Sequence, residues 1–227
     1  MTKILELDIA SFIPAEKRSL VTDCKLTIPE NVVDKVRFSL INAPGPRRGY
    51  NVEILSDQLK GRLNFLLGPG KGDVKIASAG HLNVSFRLWR KCNISIGEGT
   101  TITSARVVCD NSEIHIGKDG LWSDEILVQS NDQHGIIDLE TLKPINAGMR
   151  KIHIGDHVWI GRRTMIMPDA KMASGSLLAA GAVLTGEAEE NCIYAGVPAR
   201  KIRDGVTWSR APQGLSESER KFIEDAE

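Results

Sequence analysis

Residues 154–185 read IGDHVW IGRRTM IMPDAK MASGSL LAAGAV LT, and an apolar residue recurs at every sixth position of this stretch. A small or β-branched residue follows four places after each of the first five apolar ones. A helix with 3.6 residues per turn cannot keep residues six apart on one face, whereas short strands that turn at corners can do so. The stretch therefore predicts short strands joined by corners. The two series are Ile154, Ile160, Ile166, Met172, Leu178 and Leu184, and Val158, Thr164, Ala170, Ser176 and Ala182.

Earlier parts of the chain show the same step less regularly, and an Ile-x-Ile-Gly element beginning at Ile94, Ile114 and Ile152 resets the register. Three such strands make one triangular turn of a parallel β-solenoid, in which the large apolar residue points to the axis. Successive turns stack about 4.8 Å apart, and each inward Ile or Leu gains roughly 1.5–3 kcal/mol from burial. The repeat predicts an array of about four coils. The weaker series are Ile76, Leu82, Leu88, Ile94; Ile96, Ile102, Val108, Ile114; and Ile116, Trp122, Val128.

The repeat fails in three segments, and these failures divide the chain. The N-terminal segment lacks the six-residue phase and is rich in turn residues, which predicts an irregular, strand-rich cap on the open end of the solenoid. A second segment leaves the coils and returns, which predicts an excursion from one corner. In the tail, Ser216 stands three places before Glu219, a pattern typical of a capped short helix. The predicted parts are the cap, 1–73; the solenoid, 74–203, with the excursion, 129–151; and the tail, 204–227.

Composition limits the classes of function. The 227 residues include 29 Lys and Arg and 29 Asp and Glu, so no whole-molecule field favours nucleic acid or an anionic membrane. The start lacks a signal peptide and no window reaches the ~18 apolar residues that span a bilayer, so we expect a cytoplasmic protein without a membrane span. Four separated cysteines and five histidines without paired spacing predict buried free thiols and no metal site.

The hexads, GDHVWIG at 155–161 and AGVPARKIR at 195–203 carry a resemblance to a known family. Over about residues 74–203 the chain resembles the left-handed parallel β-helix acyltransferases of the hexapeptide-repeat family. SNDQHGIID at 130–138, followed by KPIN at 143–146, is similar to the loop of the bacterial capsular and surface-polysaccharide O-acetyltransferases. The resemblance implies left-handed coiling, acetyl-CoA as the acyl donor, and a homotrimer with active sites between subunits.

His134 is the candidate general base. Transfer of acetyl from a thioester to a hydroxyl needs a base that titrates near the operating pH, and histidine is tuned to that range. His134 aligns with the catalytic base of the family, and Asp132 or Asn131 is expected to fix its tautomer. A backbone amide or the indole N–H of Trp159 is the candidate donor to the oxyanion. The alternative for His134 is a solvated loop residue.

The other four histidines, His81, His115, His153 and His157, are expected on the surface. Two of them, His115 and His153, occupy the free position of Ile-x-Ile-Gly, where an outward polar side chain costs nothing. We therefore assign none of the four to the active site.

The resemblance also implies a groove for the donor along the last coils. Small residues at the matching positions would let a backbone approach closely, although corner sterics alone would also select them. Arginine and lysine after Pro198 suit the phosphates of coenzyme A, and a solvated positive rim is the alternative. The implied donor-site residues are Trp159, Gly161, Ala179, Ala180, Gly181, Lys201 and Arg203, with Arg200 beside them.

The sequence thus predicts an acetyl-CoA-dependent O-acetyltransferase that acts on a sugar hydroxyl of a surface or capsular polysaccharide or its precursor. Two alternatives stay open: an N-acetyltransferase of the same fold acting on an aminosugar or xenobiotic, and a non-catalytic β-solenoid that serves as a binding module. The hexads beginning at Ile166 and Met172 lack the usual Ile-Gly start, and the first seventy residues carry no family motif. The identity of the carbohydrate acceptor therefore stays open.

Overall fold

The computed structural model describes residues 2–224, except for the side chains of residues 218 and 221–223. Strands dominate these residues, and the helices lie near the two ends. The 3-10 helices are Ile9–Phe12, Ala15–Leu20 and Glu30–Lys35, and the α-helix is α1 (Glu217–Glu224). The strands are β1 (Ile4–Asp8), β2 (Val21–Thr22), β3 (Lys25–Pro29), β4 (Val36–Leu40), β5 (Arg47–Ile54), β6 (Lys60–Ile76), β7 (His81–Ile96), β8 (Thr101–Ile116), β9 (Leu121–Trp122), β10 (Ile126–Gln129), β11 (Arg150–Ile154), β12 (Trp159–Ile160), β13 (Met165–Ile166), β14 (Lys171–Met172), β15 (Leu177–Leu178), β16 (Val183–Leu184), β17 (Glu187–Ala188), β18 (Ile193–Ala195) and β19 (Arg200–Arg203).

These strands form the coils of a parallel β-helix. Each of β6, β7 and β8 makes one whole coil, and β7 pairs in parallel with β6 on one side and with β8 on the other. After β8 each coil is divided into short strands, and one ladder continues from β8 through β11 and β14 to β17. Successive coils therefore satisfy one another's backbone hydrogen bonds, as expected for a solenoid.

The coils have three faces. The first face carries β9, β12, β15 and β18, in register with the start of β8. The second face carries β4, β10, β13 and β16, together with the middle parts of β6, β7 and β8. The third face carries β3, β5, β11, β14 and β17, together with the last parts of the three long strands.

The predicted inward series fills the axis of the helix. All six apolar residues from Ile154 to Leu184 are buried, and so are the five small residues of the second series. Inside the second face, Phe38, Phe65 and Phe86 stack with ring centroids 4.9 and 4.8 Å apart, because they occupy paired positions on β4, β6 and β7. All four cysteines are buried thiols. The interpretation of the hexads as scaffold is confirmed.

Corners with a positive backbone φ angle separate the short strands. In the hexad region they fall six residues apart, and this conformation is tolerated best by Gly, Asn and Asp. The structure therefore adds a third constrained position to the two that the sequence pattern shows in each hexad. These corner residues are His157, Arg163, Asp169, Gly175 and Gly181.

Parallel pairing begins before residue 74, inside the segment predicted as an irregular cap. There β3 already pairs in parallel with β5, and β4 with β6, while β1 covers β3 in antiparallel register. The six-residue pattern misses these coils because their paired residues, such as Leu26 with Val52 and Phe38 with Phe65, lie 26 and 27 apart, whereas Ile154 and Met172 lie eighteen apart. The parallel array is therefore longer than the four coils expected from the repeat.

The C-terminal segment folds back on the helix. β19 pairs antiparallel with β18, and residues 204–216, which we call the C-terminal arm, then lie against the first face. The predicted helix cap is confirmed, because Ser216 Oγ accepts from the Glu219 N–H at 3.3 Å and the Glu219 carboxylate accepts from the Ser216 N–H at 2.7 Å. Residues 225–227 of the predicted tail lie outside the described residues. Over residues 2–224, no helix has the length and apolar character needed to cross a membrane.

Candidate active site

The excursion leaves the helix after β10 and returns at β11, at the corner between the second and third faces. Its base is fixed to the coil below, because the Asp110 N–H donates to Ser130 Oγ at 3.2 Å and Asn131 Nδ2 donates to the Asp110 carbonyl at 3.1 Å. The ladder is unbroken across the excursion, since Ile116 pairs directly with Ile154. The loop is therefore an addition to one corner of an otherwise regular coil.

Asn146 holds the two halves of the excursion together. Its Nδ2 donates to Asp132 Oδ2 at 3.0 Å and to the His134 carbonyl at 2.8 Å, and its Oδ1 accepts from the Ile136 N–H at 2.8 Å. The asparagine is buried, so these three bonds replace water. The sequence assigns no role to Asn146, because nothing local distinguishes this buried amide from a surface asparagine.

The His134 imidazole is exposed and borders a polar cleft of about 300 Å³, which we call the His134 cleft. Among the described residues, no hydrogen bond engages the ring; Asn146 binds only the backbone carbonyl of this residue. The ring nitrogens are therefore available to a group that enters the cleft. The lining residues are Arg87, Trp89, Arg90, Asp110, Gln133 and His134.

The two residues expected to orient the imidazole lie beside it in the chain but bind other groups. Asn131 is buried and donates to the Asp110 carbonyl, and Asp132 accepts from Asn146. Both residues therefore hold the loop that carries His134 rather than its ring.

Arg90 and Asp110 form an ion pair at the edge of the cleft. The Asp110 side chain is 3% exposed and the Arg90 side chain 45% exposed, so the carboxylate is enclosed while the guanidinium reaches solvent. The hydrogen bond from Arg90 to Asp110 raises the pKa of the arginine. The sequence assigns neither residue to the site, because Asp110 lies one coil and Arg90 two coils below the excursion, and neither belongs to a motif.

Trp159 lies on a different face from His134. It is 43% exposed on the first face and borders a groove of about 770 Å³, the Trp159 groove. Leu121, Leu177 and Ile193 form one wall of this groove, and the C-terminal arm forms the other. The groove shares no lining residue with the His134 cleft. The structure therefore does not bring Trp159 and His134 together within one chain.

Close approach of neighbouring coils explains the small residues of the predicted donor site. A Cβ added at Gly161 would lie 2.6 Å from the Ala180 nitrogen and 3.0 Å from the Ala179 carbonyl carbon. Gly181 is a corner residue with a φ of 72°. Close packing within the helix is thus enough to explain why these residues are small. Their contact with the acyl donor stays a prediction.

The basic residues after Pro198 have different surroundings. Lys201 Nζ donates to Glu189 Oε2 at 2.8 Å, and this hydrogen bond raises the pKa of the lysine. Arg203 borders the Trp159 groove. Arg200 donates to the neighbouring Ala199 carbonyl at 3.1 Å. Of these three residues Arg203 is therefore the one that borders the groove, which Arg210 of the C-terminal arm also lines, while Lys201 is held in an exposed ion pair.

The surface assignment of His157 is wrong. The residue is fully buried because the C-terminal arm covers its corner, and the ring of Trp208 stacks on the imidazole with centroids 4.2 Å apart. His157 Nδ1 lies 2.8 Å from Asp119 Oδ2, and Nε2 lies 3.0 Å from the Trp208 carbonyl. Both ring nitrogens therefore contact groups of the protein. His81, His115 and His153 are exposed, as predicted.

Two carboxylates fasten the C-terminal arm. Burial raises the pKa of Asp119, but hydrogen bonds from His157 and Arg210 outweigh it and hold the pKa below its usual value. Burial likewise raises the pKa of Glu219, but hydrogen bonds led by the Arg210 and Ser216 N–H groups lower it to about 2. The wall of the Trp159 groove is thus held by charged hydrogen bonds.

Comparison with known proteins identifies the fold of the molecule. Residues 151–186 match the family model described as bacterial transferase hexapeptide (six repeats). The crystal structure of the polySia-specific acetyltransferase NeuO has the same fold, with a TM-score of 0.74 and 23% identity over 91% of this chain and 94% of that one. Residues 151–186 are therefore similar to the hexapeptide repeats of that family, and the predicted left-handed parallel β-helix is confirmed.

Two curated relatives each match about half of the chain. The polysialic acid O-acetyltransferase of Escherichia coli O1:K1 / APEC is 32% identical over 118 residues, which cover 52% of this chain and 38% of that protein. The galactoside O-acetyltransferase of Escherichia coli K12 is 29% identical over 120 residues, which cover 49% of this chain and 54% of that protein. The chain thus spans about half the length, or less, of these relatives.

Proposed function

We propose that this chain transfers acetyl from acetyl-CoA to a sugar hydroxyl of a polysaccharide or its precursor, with His134 as the general base. The observation that carries this proposal is an exposed imidazole, free of hydrogen bonds within the described chain, on a braced loop above a polar cleft. The named relatives, which are O-acetyltransferases of glycans, support a sugar hydroxyl as the acceptor. Because acetyl-CoA is a cytoplasmic metabolite, the proposal includes a cytoplasmic location.

The proposed step needs no covalent enzyme intermediate. The unprotonated His134 nitrogen takes the proton of the sugar hydroxyl while the oxygen attacks the thioester carbonyl. A backbone amide or the Trp159 indole N–H stabilises the oxyanion. The C–S bond then breaks, the acetyl ester forms, and the leaving thiolate takes the proton from the imidazolium. Atoms and charge balance with acetyl-CoA and the alcohol as the only reactants.

We further propose a homotrimer in which each active site joins two subunits. His134 and Trp159 lie on separate cavities of one chain, so one reaction can use both only if a second copy brings its Trp159 groove to the His134 cleft. In this arrangement the groove receives the pantetheine arm of coenzyme A, and Arg203 and Lys201 face its phosphates.

Thiol release from acetyl-CoA with a panel of glycans tests the activity. We expect His134→Ala to lower kcat about 10²- to 10⁴-fold, the range for loss of a general base, while the Kd for coenzyme A stays the same. Normal turnover by this variant would remove His134 as the base. We expect Lys201→Glu to raise the KM for acetyl-CoA, and an unchanged KM would remove Lys201 from the phosphate site.

Subunit mixing tests the shared site. The variants His134→Ala and Trp159→Ala should each have low activity alone, and co-refolded mixtures should regain activity at interfaces that combine an intact His134 with an intact Trp159. A mixture no more active than the average of its two components would show that each chain works alone. Sedimentation of the mixture gives the number of subunits.

A further inference from the structure

Two glycines of β6 lie directly beneath residues that line the His134 cleft. Gly68 and Gly70 belong to the stretch GPGKG, on which β7 stacks. A Cβ added at Gly68 would lie 2.5 Å from Cε3 of the Trp89 ring, and one added at Gly70 would lie 2.1 Å from the Arg90 carbonyl oxygen. Both distances are shorter than a van der Waals contact, so only glycine fits beneath the turn formed by Trp89 and Arg90.

Trp89 presents an aromatic surface to the cleft. Its half-buried ring lies against the bare backbone of Gly68 and lines the cleft together with His134. The Arg87 Cζ lies 5.9 Å from the centre of this ring, which is beyond contact distance, so the guanidinium does not cover the ring centre. An indole in this place offers a packing surface to the apolar C–H groups of a pyranose ring.

Arg90 adds hydrogen-bond donors to the same wall. Its Nε donates to Asp110 Oδ1, and neither of its Nη groups bonds to another residue of the described chain. Because the Asp110 side chain is buried and that of Arg90 reaches solvent, the guanidinium is anchored on one side and open on the other. An anchored fork loses little conformational freedom on binding, and its free N–H groups can donate to the oxygens of sugar hydroxyls.

Asp110 fixes this wall relative to His134. Its carboxylate holds Arg90, and its backbone N–H and carbonyl both bond to the base of the excursion. The ladder also pairs Asp110 with Trp89. One buried residue therefore joins the turn that carries the indole and the guanidinium to the loop that carries the imidazole.

We propose that the turn formed by Trp89 and Arg90 is the subsite that holds the acceptor sugar. The pyranose ring packs on the Trp89 indole, two of its oxygens accept from the Arg90 Nη groups, and one hydroxyl faces His134. This inference rests on the proposed acetyl transfer and assigns the residues that recognise the acceptor. The subsite reads the apolar face and the hydroxyl pattern of the ring, so it binds an uncharged sugar.

Kinetics of thiol release test the subsite, with maltotetraose, cellotetraose and galactotetraose as neutral acceptors. We expect Arg90→Gln to raise the KM for the acceptor about tenfold, as for loss of a charged hydrogen bond. Trp89→Leu should raise it about two- to tenfold, as for loss of a stacked aromatic contact, and Trp89→Phe should raise it less. The KM for acetyl-CoA should stay the same in these variants, because the donor is proposed to lie in the Trp159 groove.

Gly68→Ala tests the subsite without removing either binding side chain. The added methyl displaces the Trp89 ring, so the KM for the acceptor should rise as it does in Trp89→Leu. Gly186→Ala is the matched control, since a Cβ at that position meets nothing within 4 Å. Arg163→Gln is the control for the arginine, because Arg163 also has a positive φ, of 58°, and an ion pair, but lies at the corner between the first and second faces. Neither control should change the KM for the acceptor.

A binding measurement separates this inference from the activity. Saturation-transfer NMR without acetyl-CoA should detect contact between the wild-type protein and the C–H protons of at least one of the three tetrasaccharides, and Trp89→Leu and Arg90→Gln should each weaken it. Binding that depends on both residues, without acetyl transfer to any acceptor, would overturn the proposed activity but leave the subsite. The inference would be overturned by a wild-type protein that binds none of the three, by controls as damaging as the subsite variants, or by a His134-dependent activity whose acceptor KM neither variant changes.

Discussion

His134 stands on the excursion with its ring in the solvent, whereas His157 is enclosed between a corner of the helix and the C-terminal arm. The backbone of His134 is held by Asn146 and its ring is left to the cleft, while both ring nitrogens of His157 are used within the protein. The same side chain thus serves as a candidate reactive group in one place and as a structural fastener in the other. The two histidines differ because Asp119 and Trp208 contact the ring nitrogens of His157, whereas the ring of His134 faces the cleft.

The two histidines should differ most in their contribution to the free energy of unfolding. The test changes each of them to asparagine, a residue that tolerates the positive φ of the His157 corner. We expect His157→Asn to lower the free energy of unfolding by about 2–3 kcal/mol, because it removes a buried, stacked ring with two hydrogen bonds. His134→Asn should change it by less than about 0.5 kcal/mol, as for an exposed side chain. Urea unfolding measures both, and equal losses would erase the contrast.

Asp119, beside His157, and Asp132, near His134, should also differ in their contributions to the free energy of unfolding. Asp119 binds the His157 ring and Arg210, so we expect Asp119→Asn to cost about 1–2 kcal/mol of unfolding free energy. Asp132 binds Asn146 rather than a ring, so Asp132→Asn should cost less than about 0.5 kcal/mol. A larger loss for Asp132→Asn in the same urea titrations would contradict this ranking.

Asn146 should affect catalysis more than stability. Asn146→Ala removes three hydrogen bonds inside the excursion, and the freed loop should present His134 less often in its working position. We expect kcat to fall about tenfold, equivalent to roughly 1.4 kcal/mol, while global unfolding changes little because the loop opens locally. The pair of measurements is thiol release and urea unfolding. A global loss of stability with normal turnover would assign Asn146 to the scaffold.

The smallest expected effect is the pH dependence of the stability that Glu219 contributes through the C-terminal arm. A carboxyl with a depressed pKa stabilises the fold above its unfolded value, about 4.3 for Glu, and this contribution is lost as the pH falls toward the folded pKa of about 2. We expect Glu219→Gln to cost about 1 kcal/mol at pH 7 and progressively less between pH ~4.3 and ~2. Unfolding free energies at pH 7, 4 and 2.5 measure this. A difference that stays constant to pH 2.5 would contradict it.

The hexads made the fold predictable, because the inward apolar residues recur every six positions and this spacing is visible within a short stretch of sequence. The same locality explains the errors. His157 occupies a corner and carries no local sign of burial, since Trp208 reaches it from a segment that follows the whole repeat. The N-terminal coils could not be predicted from the repeat because their paired residues lie 22 to 27 apart, as in Val52 with Val74 and Phe38 with Phe65, so no fixed phase links them.

Sequence alone located the excursion and His134 but gave an incomplete list of the residues around them. Asp110, Arg90 and Arg87 enter the His134 cleft because coils stack, so residues distant in the chain become neighbours. A repeat whose outward positions vary freely does not mark which of them face a loop from another coil. The expected roles of Asn131 and Asp132 were inferred from their positions next to His134 in the chain. In the structure their side chains bind the Asp110 carbonyl and Asn146, and so support the loop.

The direct pairing of Ile116 with Ile154 has a consequence for how such proteins diversify. Because the ladder closes beneath the excursion, the loop can lengthen, shorten or be exchanged without a shift in any other coil. Chemistry and architecture are then inherited as separate modules. Transplanting a foreign loop onto this corner is accordingly a route to new acceptors that leaves the framework untouched.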